Sequence, residues 1–345
     1  MLAINPWNGS RITVIIGALL VVVPTLLVGS TQPIRARQAM VVSQDELASK
    51  VGVAVMRDGG NAIDAAVATA FALAVTYPTA GNIGGGGFLV YRPARGEPVA
   101  YDFRETAPDR ASSRMFMRAG EYDPVLHHRS HIAVGVPGTV AGLYLAWRDY
   151  GTLPWRTLVE PGIRLARDGF AVSEALARSL ASVLPTMAPY PASVAQFSKR
   201  GVPYQTGERF RQLDLARTLE RIAEQGPAGF YEGETADLIV RDMAANGGLI
   251  TYADLAAYRA LRQSPLLGNY RGHDIVSMPP VSSGGTAVIQ MLNILEGYDL
   301  AASGAGSAAT THLLIEAMRR VYADRARHLS DPAFNPDLPI DQLIS

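Results

Sequence analysis

Gly81-Asn-Ile-Gly-Gly-Gly-Gly-Phe-Leu-Val-Tyr91 places four consecutive glycines, Gly84 to Gly87, directly before a short apolar run, and Asp102-Phe-Arg-Glu-Thr-Ala-Pro108 follows closely. A glycine inside regular structure costs about 0.5–1 kcal/mol relative to alanine, so four in a row imply that something approaches this backbone closely. Two readings fit: a plain glycine-rich turn before a strand, or a strand edge whose bare backbone forms the floor of a small-molecule site. Nucleotide phosphates do not fit. Gly87 stands where a phosphate loop requires lysine, and the dinucleotide pattern breaks at Leu89. Gly87 to Tyr91 and Val99 to Phe103, separated by Pro93 to Pro98, read as a strand hairpin, so the glycines feed a strand and not a helix.

Upstream, Met40-Val-Val-Ser43 reads as a short strand. Gln44 to Asp58 carries Leu47, Val51, Ala54 and Val55 on one face, an amphipathic helix closed by Gly59-Gly60. Asn61 is placed to cap a helix whose residues, Ala62 to Val75, are apolar on every side, the pattern of a central core helix. Downstream, Thr139–Tyr150 and Leu158–Asp168 read as helices, and Ser173 can cap a third. From about Ala181 to Tyr258 amphipathic helices alternate with Gly-Pro turns. Tyr270 to Met278 reads as a strand, Ser282-Ser283 as caps for a helix over Thr286–Glu296, and His312–Leu329 as a further helix. Asp331 to Ser345 reads as a loop.

The chain has 345 residues, 48% hydrophobic and 18% charged, enough for a large core in one big layered domain or two smaller ones. Lys plus Arg and Asp plus Glu balance at 31 each, so no overall field attracts nucleic acid or an acidic surface. Arg11, the apolar stretch Ile12 to Gly29 and the small residues Gly29-Ser30 follow the layout of a secretory signal, residues 1–30. An uncleaved membrane anchor is the alternative, and Pro24 favours cleavage. An exported chain without cysteine has no disulfides, which suits a periplasm.

Arg104 follows a strand and lies between Asp102 and Glu105. It is either an exposed ion pair of small energetic value or a fork that grips a substrate carboxylate. His127, His128 and His131 are clustered, but no cysteine or well-placed carboxylate completes a tetrahedral metal set, so they read as a solvated loop and no metal is assigned. Thr310-Thr-His312 combines nucleophiles with a base. Leu313, Leu314, Ile315, Ala317 and Met318 follow at helical spacing, however, which makes a threonine there a helix cap. The usual hydrolase motifs are absent. Residue chemistry alone stops at an exported globular protein with a small-molecule cleft.

Gly59-Gly-Asn-Ala-Ile-Asp-Ala-Ala66, Gly81 to Phe88, Asp102 to Pro108 and Val136-Pro-Gly-Thr-Val-Ala-Gly142 together resemble the gamma-glutamyltranspeptidase family. Gly229-Phe-Tyr-Glu-Gly233, Gly247 to Leu255, Pro279-Pro-Val-Ser-Ser-Gly-Gly285 and Tyr322-Ala-Asp-Arg325 continue that resemblance in the family's order. It spans about residues 38 to 335, within a region taken as 38–345. It implies an α+β four-layer αββα sandwich of the N-terminal-nucleophile hydrolase type, of which this chain carries the large-subunit portion. It further implies an exported gamma-glutamyltransferase or glutathione hydrolase without cofactor. In such an enzyme the N-terminal Thr of a small subunit attacks the gamma-glutamyl amide of glutathione, and the acyl group passes to water, an amino acid or a peptide.

By the same resemblance, Arg104 is the substrate-binding residue that pairs with the alpha-carboxylate of the gamma-glutamyl group. Thr310-Thr-His312 is a decoy, because the family's Thr-Thr-His lies beyond the helix carrying Tyr322 to Arg325; no catalytic nucleophile is assigned within these residues. Two alternatives accompany this expectation: a glutaryl acylase on the same fold, and a non-catalytic fragment that keeps the carboxylate site.

Overall fold

Asn61 opens the helix on which the rest of the molecule is built. In the computed structural model, which describes residues 33–345, Ala62–Thr76 forms helix α2 behind a complete capping box: the Asn61 side chain accepts from Ile63 N and Asp64 N, and the Asp64 side chain accepts from Asn61 N. Ile63, Val67, Ala68, Phe71 and Val75 are all but fully buried, as a helix apolar on every side requires. The Asp64 carboxylate is itself buried. It is satisfied by Asn61 N (2.9 Å), Thr152 N (3.0 Å), Leu153 N (3.3 Å) and the Thr152 hydroxyl, which fastens the 151–154 turn to the start of α2.

Around α2 pack α1 (Glu46–Arg57), α3 (Thr139–Tyr150) and α4 (Trp155–Asp168), and α4 packs in turn on α5 (Leu213–Gln225). Phe71 and Tyr144 meet Trp155 edge-to-face, and Trp147 packs on it at a tilt, forming an aromatic cluster at this junction. Ser173 caps Glu174–Met187 by accepting from Leu176 N. The stretch 181–258 is mostly helical, as its periodicity implies, but Arg209–Phe210 forms a short strand paired with Phe170–Ala171.

Strands β1 (Phe88–Tyr91) and β2 (Val99–Asp102) pair antiparallel with Phe88 opposite Asp102. β2 also pairs with β3 (Leu261–Gln263), giving the order β1-β2-β3 with β1 at an edge. Tyr101 on β2 is fully buried and its hydroxyl donates to Asp149 on α3 (2.8 Å), locking sheet to helix. Phe88 and Val90 stay 38% and 39% exposed, an apolar edge-strand face left open among the described residues. A second assembly joins the hairpin β4 (Leu266–Tyr270) and β5 (His273–Ser277) to α6 (Gly284–Glu296), on which α7 (Ala308–His328) packs. The molecule is α+β.

Several local expectations need correction. Met40 to Ser43 is not a strand, since no neighbouring strand is there to pair with it. Tyr270 to Met278 is not one strand. The chain reverses at Arg271-Gly272, where both residues take positive φ (51° and 80°), and Glu296 and the Tyr298 carbonyl hold Arg271 there. Ser283 occupies the N-cap position of α6 but makes no capping bond; the neighbouring Ser282 Oγ accepts from Gly284 N instead. Within the 331–345 tail, Ile340–Leu343 forms one helical turn. The expected signal segment, residues 1–30, lies outside the described residues. Chain contacts set Met1–Gln38 apart from Ala39–Ser345, and every helix and strand described belongs to the second unit.

Candidate functional site

Arg104 is positioned by its main chain. Gly87 N and Phe103 O (3.2 Å) and Phe103 N and Gly87 O (3.1 Å) extend the β1–β2 ladder one pair beyond the strands, and Arg104 leaves the ladder immediately after. Arg104 N donates to Asp102 Oδ1 (3.0 Å), and Arg104 O accepts from the Tyr258 hydroxyl (2.8 Å). The side chain itself is exposed, and its guanidinium makes no hydrogen bond or ion pair among the described residues, although Asp102 and Glu105 flank it. The simple surface ion pair is therefore not formed.

The glycines explain how the backbone reaches this conformation. Gly85 O accepts from Gly138 N (2.7 Å) and Thr139 N (3.1 Å) at the start of α3, while Asn82 Oδ1 takes Gly85 N (3.0 Å) and the Thr139 hydroxyl (2.6 Å). A Cβ at Gly86 would lie 2.6 Å from Phe103 O, and one at Gly138 would lie 2.0 Å from the Tyr258 hydroxyl. Side chains at these points would push apart the three segments that meet behind Arg104. The glycine run is thus chiefly a packing device. Gly84 alone in the run has open space where a side chain would be.

Two clefts share residues 104–107 as a common wall. One, of about 590 Å³, is bounded by Arg104, Arg259, Gln263, Tyr258 and the 331–334 turn. The other, of about 490 Å³, runs from Gly84 past Arg104 and Glu105 to Ile132 and Val134. In the first, Gln263 Oε1 is buried without a hydrogen-bond partner. Tyr258 stacks parallel to Tyr231 with ring centres 5.8 Å apart, and the Tyr231 hydroxyl donates to Pro137 O (2.8 Å). Burial, followed by the nearby Tyr231, Asp102 and Glu105, pushes the Tyr258 hydroxyl well above its ordinary range, so it remains a proton donor to Arg104 O. Asp254 anchors the start of the second cleft's wall by accepting from Asp109 N (2.7 Å). Burial works to raise the Asp254 carboxyl. The hydrogen bonds from Asp109 and Thr251, with the Arg110 charge, outweigh burial and hold it below its ordinary range.

The other sequence candidates fall elsewhere. His127 and His128 stack at 4.3 Å and share the Tyr122 hydroxyl, whereas His131 turns away to pair with Asp242 at 3.0 Å. The segment is not a plain loop: Pro124–Arg129 is helical and His131–Ala133 is a 3-10 turn. Among the described residues no group of three or more His, Cys, Asp or Glu is arranged to hold a metal ion. Thr310 lies in the first turn of α7, but the cap is Ser307, which accepts from Thr310 N, while the Thr310 hydroxyl donates to Gly304 O (2.8 Å). Asp254 carries a local signal, the Thr251–Asp254 capping box, but nothing local announces its bond to Asp109 N or the roles of Tyr231 and Tyr258. These contacts span 94, 154 and 145 positions for Tyr231, Tyr258 and Asp254.

Residues 48–345 match the family described as Gamma-glutamyltranspeptidase. The chain belongs to the gamma-glutamyltranspeptidase family. It is 49% identical over 307 residues to the glutathione hydrolase proenzyme of Escherichia coli K12, a match covering 88% of this chain and 52% of that protein. It is 40% identical over 320 residues to the acylase ACY 1 proenzyme of Pseudomonas sp. SE83, covering 91% and 57%. The crystal structure of Helicobacter pylori gamma-glutamyltranspeptidase superposes with a TM-score of 0.89 at 46% identity, covering 91% of this chain and 90% of that one. The chain spans about half the length of the curated relatives it matches. Its α+β architecture is that of solved gamma-glutamyltranspeptidases.

Proposed function

We propose that this chain is the large-subunit, donor-binding portion of a gamma-glutamyltransferase or glutathione hydrolase. The observation that carries this reading is the Arg104 guanidinium, exposed at a cleft, unpaired among the described residues and held by its own backbone. A planar guanidinium binds a carboxylate through two parallel hydrogen bonds, so Arg104 is suited to the alpha-carboxylate of a gamma-glutamyl donor.

The nucleophile belongs to a small subunit outside residues 1–345. Against Thr310 in that role stands its hydroxyl, which donates to Gly304 O in the first turn of α7. The N-terminal Thr attacks the donor amide carbonyl, and the C–N bond breaks as the leaving amine takes a proton. Water or an acceptor amine then forms a bond to the acyl carbon, and the ester C–O bond breaks with return of a proton to the threonine hydroxyl. Export through residues 1–30 belongs to the same proposal; no helix among the described residues is long and apolar enough to cross a membrane.

A second reading, a glutaryl acylase, is favoured by the 40% identical acylase, because Arg104 can grip a terminal carboxylate that has no alpha-amino group beside it. The test is turnover of gamma-glutamyl and glutaryl p-nitroanilides by the chain assembled with its nucleophile-bearing subunit. Preference for the gamma-glutamyl substrate is expected. Preference for glutaryl selects the acylase, and turnover of neither leaves only a carboxylate-binding module.

A further inference from the structure

His127 and His128 occupy consecutive positions of the helix Pro124–Arg129, and side chains one position apart on a helix do not face each other. Here both rings nevertheless reach the same atom. His127 Nδ1 lies 2.7 Å from the Tyr122 hydroxyl oxygen and His128 Nε2 lies 3.3 Å from it, and the two rings stack with centres 4.3 Å apart. The single phenol proton can serve only one of the two nitrogens. All three residues are exposed, Tyr122 at 53%, so the point on which they converge is open to solvent.

The backbone builds this convergence from two sides. Met117–Arg118 and Glu121–Tyr122 form a two-stranded hairpin that turns through Ala119 and Gly120, both at positive φ (51° and 87°), with Met117 opposite Tyr122. Asp123 then caps the helix by accepting from Val125 N (2.8 Å) and Leu126 N (3.2 Å), while its other oxygen pairs with Arg118 (3.1 Å). Asp123 N donates to Phe116 O (2.8 Å), and the Phe116 ring packs on His127 with centres 4.4 Å apart. At the far end of the helix the Tyr190 hydroxyl donates to Arg129 O. Hairpin and helix are each held by their own bonds, so Tyr122 and the two histidines face one another without help from a ligand. Asp123 is already committed, and so is His131, to Asp242.

We propose that His127, His128 and Tyr122 form a surface site for Zn2+ or a related divalent transition-metal ion, with the phenol oxygen as third donor and water completing the shell. A phenol here takes the place of the carboxylate or thiolate that a zinc set ordinarily uses. Ligands about 2.0–2.1 Å from an ion stand about 2.9 Å apart at right angles and about 3.3 Å apart at tetrahedral angles, and the nitrogen–oxygen separations here are 2.7 Å and 3.3 Å. Two imidazoles favour such an ion over Mg2+ or Ca2+, which take oxygen donors. On binding, each imidazole presents an unprotonated nitrogen to the ion and keeps its proton on the other one, and the phenol proton passes to solvent. The bound ion cross-links the hairpin to the helix. No residue of this site takes part in the acyl-transfer reading above, so either can fail alone.

The experiment is calorimetric titration of Zn2+, with Mg2+ for comparison, into the chain assembled with its nucleophile-bearing subunit, and it requires no turnover. The unsubstituted protein is expected to take up an equivalent of Zn2+ that the double variant His127→Gln, His128→Gln does not, whereas His273→Gln, at an exposed histidine elsewhere, keeps it. Tyr122→Phe is expected to raise the Kd for Zn2+ at least about tenfold, the lower end of what losing even a supporting partner costs a metal site. In the unsubstituted protein, Zn2+ is expected to shield His127 and His128, but not His273, from diethyl pyrocarbonate, a readout that holds even where a variant fails to fold. Equal Zn2+ uptake by wild type and the double variant, an unchanged Kd in Tyr122→Phe, or equal modification of His127 and His128 with and without Zn2+ overturns the site. Mg2+ binding as tight as Zn2+ overturns the choice of ion.

Discussion

Gly142→Ala separates two physical expectations by the sign of its effect. Gly142 lies inside α3, and alanine is worth about 0.8–1 kcal/mol more than glycine in a helix interior, so local propensity alone makes the substitution stabilising. Packing opposes this. The added Cβ would fall 2.0 Å from Phe103 Cγ and 2.3 Å from both Phe103 Cβ and Cδ1, against an ordinary carbon separation of about 3.5–4.0 Å. Phe103 is only 6% exposed, and a Cβ at Gly87 would already lie 2.8 Å from its Cε2, so the ring cannot simply retreat.

Overpacking of this kind typically costs about 1–3 kcal/mol, and a contact this short belongs at the upper end. Subtracting the propensity gain leaves a net loss of about 2 kcal/mol. Because Arg104 follows Phe103 directly, a displacement of about 1 Å would also lower kcat/KM by as much as 100-fold. Denaturant unfolding of wild type and variant, with gamma-glutamyl anilide turnover on the same preparations, measures both. A variant as stable as wild type or more so refutes the close packing of α3 on Phe103, and with it the account of why glycines surround Arg104.

Other consequences are equally direct. Asp64→Ala leaves Asn61 N, Thr152 N and Leu153 N without their shared acceptor and is expected to cost about 3–5 kcal/mol, read as loss of cooperative unfolding or a large midpoint shift. Tyr258→Phe keeps the stacked ring but removes the donor to Arg104 O, with an expected loss of about 1–2 kcal/mol in stability and a raised donor KM. The folded-state Asp254 carboxyl titrates below its ordinary value, so its contribution is present above the unfolded-state value and disappears as pH falls through the folded-state one. Melting temperature between pH 5 and pH 2 should fall less steeply in Asp254→Asn than in wild type. Thr310→Ala should leave acylation unaffected when measured by burst kinetics, since that hydroxyl serves the start of α7.

The parts legible in the sequence were those governed by local chemistry. An Asn before an apolar run makes a capped, buried helix wherever it sits, and α2 follows that rule from Asn61 to Thr76. The β1–β2 hairpin and the place of Arg104 at its end followed from alternation and proline punctuation. What escaped was determined by distant partners. Met40 to Ser43 has strand propensity but no strand beside it. Arg271 takes a left-handed turn that its own side chain does not favour, and groups near residues 296–298 hold it there. The hold of Tyr258 on Arg104 spans 154 positions. The glycine run read correctly as a site of close approach, but only the three-dimensional arrangement shows that the approaching group is mainly Phe103 and the start of α3.

The central claim is that the Arg104 guanidinium recognises a substrate carboxylate. A double-mutant cycle tests it most directly: kcat/KM for gamma-glutamyl p-nitroanilide and for 4-aminobutyryl p-nitroanilide, which lacks the alpha-carboxylate, in wild type and in Arg104→Ala. Arg104→Ala is expected to lower kcat/KM for the gamma-glutamyl substrate by about 10- to 150-fold, the worth of a charged hydrogen-bonded pair, and that for the other by less than about threefold. Equal losses on both substrates would contradict it.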